Sequence, residues 1–280
     1  MGRVVTREEM LLRELHRASP ALPPERRALL AVSQNPNASE DVLLRLAALP
    51  RSGPFLALRR GGLPESVLDA LLAAAEADAD TGAETLRELG RNAVTPWRIR
   101  RELAQRSPDA RLRAGVAGSG FIEDDPGARE EWLGMLRLLA TDPEPAVRAA
   151  VAGNELIPRD LAESLAGDSE ATVRRAVAAR RYRPELAAAW RGLLTDPNTQ
   201  VRNTAAGNHT HPPIPEDLAD GLLLDPDTRL AALLNGSAVI SHEAGVAIAA
   251  DPEPFVRTTL AAHRRMPGSL VWTKPRSYGP

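Results

Sequence analysis

The residues with the most regular spacing are arginines, each placed six positions after an acidic turn residue. Four such pairs occur in the second half of the chain: Asp142 and Arg148, Asp168 and Arg174, Asp196 and Arg202, and Asp251 and Arg257. A guanidinium is a planar fork of donors that matches the oxygens of a carboxylate or a phosphate. The arginines could therefore line a surface for phosphates or an acidic peptide. Alternatively, they could form a structural ladder with the aspartates and carbonyls of adjacent units.

A second set of candidates combines aromatic residues with arginines outside this spacing. The candidate binding surface consists of Trp97, Arg100, Arg101, Trp132, Arg175, Arg181, Tyr182 and Trp272. A basic patch beside aromatic rings is typical of proteins that bind single-stranded nucleic acid or a flipped base, and Trp and Arg are also enriched in protein-binding hot spots. In the structural alternative, the arginines lie on solvated helix faces beside neighbouring glutamates and the tryptophans lie in the core.

Metal binding and catalysis have little support in the sequence. His209 and His211 form an H-x-H pair, but Asp217 is only a possible third ligand. The chain has no cysteine, which excludes disulfides, thiolate nucleophiles and Cys-ligated metals. It also lacks G-x-S-x-G, H-E-x-x-H, P-loop and dinucleotide-binding motifs. We therefore predict no catalytic residue, no metal and no cofactor.

The overall charge and hydrophobicity narrow the choice of partner. The 35 basic and 37 acidic residues give a net charge of −2, so no overall basic field draws the chain to nucleic acid or lipid. No apolar run reaches the roughly 18 residues of a membrane helix, and residues 1–17 lack the apolar core of a signal peptide. We predict a cytoplasmic protein without a membrane partner.

These candidates lie in a repeated sequence unit. The turn residues Asp142, Asp168, Asp196, Asp225 and Asp251 are separated by 26 to 29 positions, and Ser107 opens an earlier unit. The fifth residue after each opener is aliphatic: Leu112, Val147, Val173, Val201, Leu230 and Val256. The ninth is apolar: Val116, Val151, Val177, Ala205, Leu234 and Leu260. A spacing of four puts both columns on one helix face, which predicts a buried stripe.

Each unit is predicted to contain two helices. The opener, often followed by proline, is predicted to be the N-cap of the first helix. A polar residue twelve positions after the opener, such as Asn154 or Asn208, ends that helix, where asparagine favours a left-handed cap. A second helix then begins near Pro158, Pro184 or Pro215. The low aromatic content of 3% also favours small helices packed on one another. The predicted class is all-α.

The repeats predict the organisation of the chain. Residues 1–24 are interpreted as an N-terminal cap, and residues 25–106 as degenerate repeats. Regular repeats cover residues 107–267, with an insertion near 120–135, and residues 268–280 form a C-terminal tail. Terminal units of a stacked repeat protein are commonly atypical because one of their faces meets water.

The segment DPEPAVRAAVAGNELIPRDLAESLAG, Asp142–Gly167, resembles the leucine-rich repeat variant family throughout its length. The same segments resemble HEAT repeats, which share an Asp and an Arg six residues apart. The resemblance implies a right-handed α-solenoid of about eight or nine repeats, each pairing an α-helix with a shorter, often 3₁₀-like helix. It also favours the structural ladder, because arginines at this position in HEAT-like packing bind neighbouring units. The Cys-rich iron–sulfur segment of one family member has no counterpart here.

The resemblance implies an architecture and no common reaction. The leading functional interpretation is a non-enzymatic scaffold or accessory subunit that binds a protein or peptide. The alternative is a HEAT-like nucleic-acid-binding protein, such as a DNA-repair protein similar to the alkylpurine glycosylases. Binding that weakens steeply with salt would favour the alternative.

Overall fold

The computed structural model describes residues 24–121, 126–181, 184–210 and 212–263, and every regular element within these ranges is a helix. The prediction of an all-α protein is therefore confirmed. The chain forms two compact units, Met1–Met135 and Leu136–Pro280. Odd-numbered α-helices are called first helices below, and even-numbered ones second helices.

Seventeen α-helices are described. Those of the first unit are α1 (Pro24–Ser33), α2 (Glu40–Ala47), α3 (Gly53–Ala57), α4 (Glu65–Ala77), α5 (Gly82–Arg91), α6 (Trp97–Arg106) and α7 (Ala110–Gly118). Helix α8 (Pro126–Leu139) contains the boundary between the units. Those of the second unit are α9 (Pro145–Gly153), α10 (Arg159–Ala166), α11 (Ala171–Ala178), α12 (Ala187–Leu194), α13 (Thr199–Gly207), α14 (Glu216–Leu224), α15 (Arg229–Asn235), α16 (His242–Ala249) and α17 (Pro254–Ala261). A 3₁₀ helix, Pro184–Leu186, precedes α12.

The helices pack in a regular alternation within each unit. In the first unit α1, α3, α5 and α7 pack each on the next, and in the second unit α9, α11, α13, α15 and α17 do the same. Each second helix also packs against the first helix that follows it, apart from α8 at the boundary. No described helix is long and apolar enough to cross a lipid bilayer.

The predicted apolar stripe is buried in five of the six sequence repeats that predict it. Val147 and Val151 are fully buried, for example, and so is Val173 in the next unit. In the Asp225 unit the prediction is wrong, because Leu230 is only half-buried and Leu234 is 60% exposed. In this repeat the polar residue at the end of the first helix, Asn235, follows the turn aspartate by ten positions instead of twelve, so the buried face is formed by other side chains: Thr228, Ala232 and Leu233.

The predicted role of the opener as N-cap is also wrong. Asp142 lies three residues before α9, and Glu144 is the residue in the N-cap position. The Asp142 carboxylate accepts a hydrogen bond of 2.9 Å from the Glu144 backbone N–H. It therefore closes an Asx turn that leads into the helix. The proline at the first helical position is Pro145, two residues later than predicted.

The ends of the helices differ from prediction as well. Asn154 and Asn208 end first helices in extended conformations, with φ −74° and −78°, and not in the left-handed region. Among the described helix ends, Gly236 has the left-handed conformation, with φ 71°. The second helices of the second unit are α-helices of eight or nine residues, so the shorter 3₁₀-like helix that the resemblance implied is limited to Pro184–Leu186.

Candidate binding surface and the two ladders that frame it

Arginines at the start of the first helices bind the turn of their own repeat and the turn of the next repeat. The Arg174 Nη1 atom donates to the Asp168 carbonyl, six residues earlier, at 2.7 Å. Its Nε and Nη2 atoms donate to the Asp196 carboxylate at 2.6 and 2.9 Å. Arg148 makes the same contacts with Asp142 and Asp168. We call this series the arginine–aspartate ladder and each Arg–Asp pair a rung.

Further rungs continue the ladder in the second unit. Arg202 donates from Nη1 to the Asp196 carbonyl at 2.8 Å and from Nη2 to the Asp225 carboxylate at 2.9 Å. The arginines and aspartates of the Arg148 and Arg174 rungs are largely buried, with side-chain exposures between 5% and 13%. These charges connect successive turns and do not present a row of free cations to phosphates.

The rungs lower the pKa of their carboxyl groups. The hydrogen bond from Arg148 holds the pKa of Asp168 below its usual range, and the hydrogen bond from Arg202 does the same for Asp225. For Asp196, burial raises the pKa, but the hydrogen bonds from Arg174 and from the Asn198 backbone outweigh it and the net shift is downward. The Asp251 pKa is lowered by the Glu253 backbone N–H and by Arg229. The carboxylates are therefore stabilised in their charged form.

Two rungs were not predicted. Arg229 lies four residues after Asp225, yet it binds the Asp251 carboxylate and donates from Nε to the carbonyl of Leu223, six residues earlier, at 2.9 Å. Arg87 binds Asp109 at 2.9 Å in the first unit. Both rungs could have been found by searching for an arginine six residues after a turn carbonyl. The aspartate of such a turn can stand two residues after that carbonyl.

A second ladder joins the C-terminal ends of successive first helices. The Asn208 Nδ2 atom donates to the carbonyls of Ala178 and Arg180 at 3.0 and 2.7 Å, and Asn235 repeats this contact on Ala206 and Asn208. In the first unit, Asn92 binds the carbonyls of Ala57 and Arg59. Helix ends leave carbonyls without intrahelical partners, and here an amide of the next repeat binds them. We call this series the helix-end ladder.

Arginine replaces asparagine in two positions of the helix-end ladder. Arg180 is buried and donates from Nη1 to the carbonyls of Ala152 and Asn154. Arg59 donates to the carbonyls of Ser33 and Asn35 in the same way. Arg180 belonged to one of the sequence clusters considered for nucleic acid, and its burial removes it from any exposed surface.

Three members of the predicted binding surface are buried, which corrects their assignment. Trp97 and Trp132 are 2% and 1% exposed, and Arg100 is fully buried. Phe121 stacks on Trp132 with ring centroids 5.4 Å apart and meets Trp97 edge-on at 6.4 Å. The insertion thus supplies Trp132 to an aromatic core cluster of the first unit. Such a cluster stabilises packing and leaves no ring face for a base.

Arg100 is held inside this cluster by backbone and hydroxyl oxygens. Its Nε atom donates to the Thr95 carbonyl at 2.9 Å, and its Nη1 atom to Ser119 Oγ and the Gly120 carbonyl at 2.9 and 2.8 Å. Its guanidinium carbon lies 5.4 Å from the centre of the Trp97 ring. These contacts indicate a structural role for Arg100.

The remaining members of the predicted surface belong to different units or lie outside the described residues. Arg101 of the first unit pairs with Glu131. Arg175 and Arg181 of the second unit are exposed, and the Arg181 backbone N–H donates to Glu155 at 3.3 Å. Tyr182 and Trp272 lie outside the described residues.

The first helices of the second unit share an almost uncharged outer face. In α9, α11, α13 and α17, counting the C-cap residues of α11 and α17, the positions four, seven, eight and eleven after the turn aspartate are all at least partly exposed. Of these 4 × 4 = 16 positions, Arg175 alone is charged; the others are Ala, Gly, Thr, Asn, Gln and Phe. Phe255 is 61% exposed on α17, and Leu234 is 60% exposed on the neighbouring α15. We call this surface the first-helix face.

The second helices of the same unit expose charged residues instead. The exposed charged residues are Arg159, Asp160, Arg191, Glu216, Asp217 and Glu243. Asp217 accepts from Arg191 Nη1 at 3.1 Å, and Arg159 donates to Glu163 at 2.7 Å. Charge is thus segregated between the two kinds of helix.

The structure adds little to the metal candidates. His209 is exposed, His211 lies outside the described residues, and Asp217 is paired with Arg191. Within the described ranges, no group of three or more His, Asp or Glu side chains is placed to hold a metal ion.

No protein-family model matches the sequence, and a search of curated proteins finds no significantly similar one.

Proposed function

We propose that the chain is built from nine two-helix repeats and that each compact unit is an α-solenoid stack related to leucine-rich repeat variant and HEAT repeats. The helix-end ladder supports this count, because its column contains nine residues: Asn35, Arg59, Asn92, Ser119, Asn154, Arg180, Asn208, Asn235 and His263. The same contacts recur between successive repeats at both ends of the first helices. Such repetition is typical of stacks in which each repeat contacts its neighbours.

We further propose that the protein is a non-enzymatic scaffold or accessory subunit that binds a protein or peptide through the first-helix face. The observation that carries this proposal is the segregation of charge. The regular arginines and aspartates bind one another between repeats, and the first-helix face is left with small side chains, amides, hydroxyls and two exposed large apolar residues. Depletion of charge and exposed large apolar side chains are typical of the core of a protein interface.

The proposal is tested by placing a charge on the first-helix face. Ala146 is the second residue of α9, and the exposed Ala188 is the second residue of α12. A glutamate is compatible with the first turn of a helix at either position. Ala146→Glu is expected to abolish co-purification of the partner captured by the wild-type chain from native lysate, and Ala188→Glu is the matched control on a second helix.

The outcomes separate the candidate functions. Equal recovery of the partner by both variants would contradict the first-helix face as the binding surface. If the captured material is nucleic acid, and its affinity falls steeply between low and moderate salt, the DNA-binding alternative replaces the scaffold. Mass spectrometry of proteins and quantification of co-purified nucleic acid make the distinction.

A further inference from the structure

Exposed ion pairs join some of the second helices of the second unit at equivalent positions. In each pair, one residue stands five positions before a turn aspartate, and the other stands eight positions before the next turn aspartate. Arg137 of α8 lies 3.8 Å from Asp160 of α10, and Arg191 of α12 donates to Asp217 of α14 at 3.1 Å. We call these contacts the second-helix pairs. Their side chains are 47% to 69% exposed, so another molecule can reach the same positions elsewhere on this surface.

Between α14 and α16 both of these positions are acidic. Asp220 has the position of Arg191, and Glu243 has the position of Asp217. Between α10 and α12 a pair is also lacking, but there the first position is Glu163, which binds an arginine of its own helix. Helices α14 and α16 contain neither arginine nor lysine, and Asp220 and Glu243 make no ion pair among the described residues. A cationic side chain placed here would be attracted by two carboxylates.

Exposed apolar side chains lie on the same two helices. Val246, which has the position in α16 that Asp220 has in α14, is 52% exposed, and Leu224 at the end of α14 is 38% exposed. Gly221 and Ala247 are exposed as well and add little bulk. Because α14 and α16 pack on each other, these residues belong to one surface, which we call the α14–α16 face. Apolar area bordered by charged residues is typical of a protein-binding surface.

Charge complementarity identifies the occupant of this face. Within the described ranges no three His, Asp or Glu side chains are placed to hold a metal ion, and a metal ion would leave the apolar area uncovered. Carboxylates repel the phosphates of a nucleic acid. A guanidinium carries five donors and can bind two carboxylates at once, and apolar neighbours in the same segment can cover Val246.

We propose that the α14–α16 face binds a basic amphipathic segment of a partner protein, whose arginine binds Asp220 and Glu243 and whose apolar residues cover Val246. The arginine takes the place that Arg191 has in the second-helix pair with Asp217. This surface lies on the second helices, and its role does not depend on the first-helix face. The chain therefore offers a second binding surface, of opposite preference in charge to a phosphate-binding one.

The probe is an alanine-based helical peptide with leucines along one face and arginines beside them, and its matched control carries the neutral isostere citrulline in place of arginine. The full-length chain is titrated with each peptide while its backbone amide signals are followed by NMR. We expect the signals of α14 and α16 to shift, and the citrulline peptide to bind about tenfold more weakly.

A variant of the chain can supply the missing cation from within. Asp220→Arg places an arginine opposite Glu243, as Arg191 stands opposite Asp217, so the variant should fold and its affinity for the arginine peptide should fall about tenfold or more. Asp69→Arg, at an exposed aspartate of α4, makes the same change in net charge and should alter the affinity by less than about twofold.

The remaining outcomes overturn the proposal. It fails if the α14 and α16 signals do not shift, if the citrulline peptide binds equally well, or if Asp69→Arg weakens binding as much as Asp220→Arg. It also fails if Mg²⁺ or Ca²⁺ alone shifts these signals and the peptide does not, or if they shift with chain concentration alone, which would indicate a second copy of the chain. Ala146→Glu is expected to leave the titration unchanged, so the first-helix face and the α14–α16 face are tested separately.

Discussion

At the scale of single residues, each aspartate of a complete rung accepts hydrogen bonds from two directions. Asp196 accepts from the Asn198 backbone N–H at 2.8 Å, which shapes its own turn, and from Arg174, which belongs to the preceding repeat. One carboxylate therefore sets local backbone geometry and inter-repeat packing together. This dual use explains why an acidic opener and an arginine six residues later recur through the regular repeats.

Removing a rung should destabilise the protein in proportion to the contacts it makes. We expect Arg174→Gln to lower the free energy of unfolding by about 2 kcal/mol, because it leaves the largely buried Asp196 carboxylate without its charged partner. Arg257→Gln removes the same side chain where no rung is formed among the described residues, so its loss should be clearly smaller. Urea denaturation followed by circular dichroism measures both. Equal losses would show that the stabilisation comes from the turn carbonyls and not from the rung.

The helix-end ladder gives a second residue-scale prediction. Asn208→Ala removes two hydrogen bonds to the carbonyls of Ala178 and Arg180 and should cost about 1–2 kcal/mol. Asn203→Ala is the matched control, since Asn203 makes one exposed hydrogen bond from Nδ2, to the Asp227 carbonyl. The difference in urea midpoint between the two variants measures the value of the ladder contact. If the control loses as much as Asn208→Ala, the helix-end contact has no special role.

At the scale of helices, the Asp225 repeat shows how the register can shift while both ladders are kept. Its turn aspartate and its ladder arginine are four positions apart instead of six, yet Arg229 still binds Asp251 and Asn235 still binds the helix end before it. Thr228 occupies the place that valine has in other repeats, and its hydroxyl donates to the Leu222 carbonyl at 2.8 Å. The ladders, and not the turn residue, therefore define the register.

This register makes opposite predictions for two adjacent leucines. Leu233 is 2% exposed and Leu234 is 60% exposed. We expect Leu233→Ala to lower the unfolding free energy by about 2–4 kcal/mol through lost burial and a cavity, and Leu234→Ala by less than about 0.5 kcal/mol. Thermal and urea denaturation of both variants provide the comparison. A larger loss of unfolding free energy for Leu234→Ala would instead support the register that the spacing from Asp225 predicts, in which Leu234 is buried.

The features that could be predicted from the sequence are those that depend on periodicity within one helix. The helical class, the buried valines at Val147 and Val151, and second helices that follow Pro158 and Pro215 all follow from local spacing. The burial of Trp97 and Trp132 depends instead on contacts between an insertion and distant helices. The role of Asp109 depends on an arginine 22 residues earlier, which a pattern anchored on Ser107 does not include.

At the scale of the whole molecule, the ladder connects stability to pH. Asp168, Asp196, Asp225 and Asp251 all have a pKa lowered by folding, while an unfolded aspartate has a pKa of about 3.9. Such groups stabilise the folded chain fully above the unfolded pKa, and this contribution is lost as the pH falls through the folded values. These carboxylates should therefore leave Tm nearly constant from pH 7 to about pH 5 and make it fall steeply below about pH 4.

Arg174→Gln should change the shape of this acid limb as well as the stability at neutral pH. Without Arg174, burial of Asp196 still raises its pKa, and the strongest opposing hydrogen bond is gone. Asp196 then takes up a proton at a higher pH than in the wild type, so this carboxyl group contributes less to the fall of Tm in acid. Within this variant the loss at neutral pH includes the cost of a charged, unpaired carboxylate, and protonation relieves part of that cost. The difference in Tm between variant and wild type should accordingly narrow as the pH falls through the acid range. Thermal denaturation at intervals between pH 3 and pH 7 tests this, and two parallel curves would mean that Arg174 does not control the ionisation of Asp196.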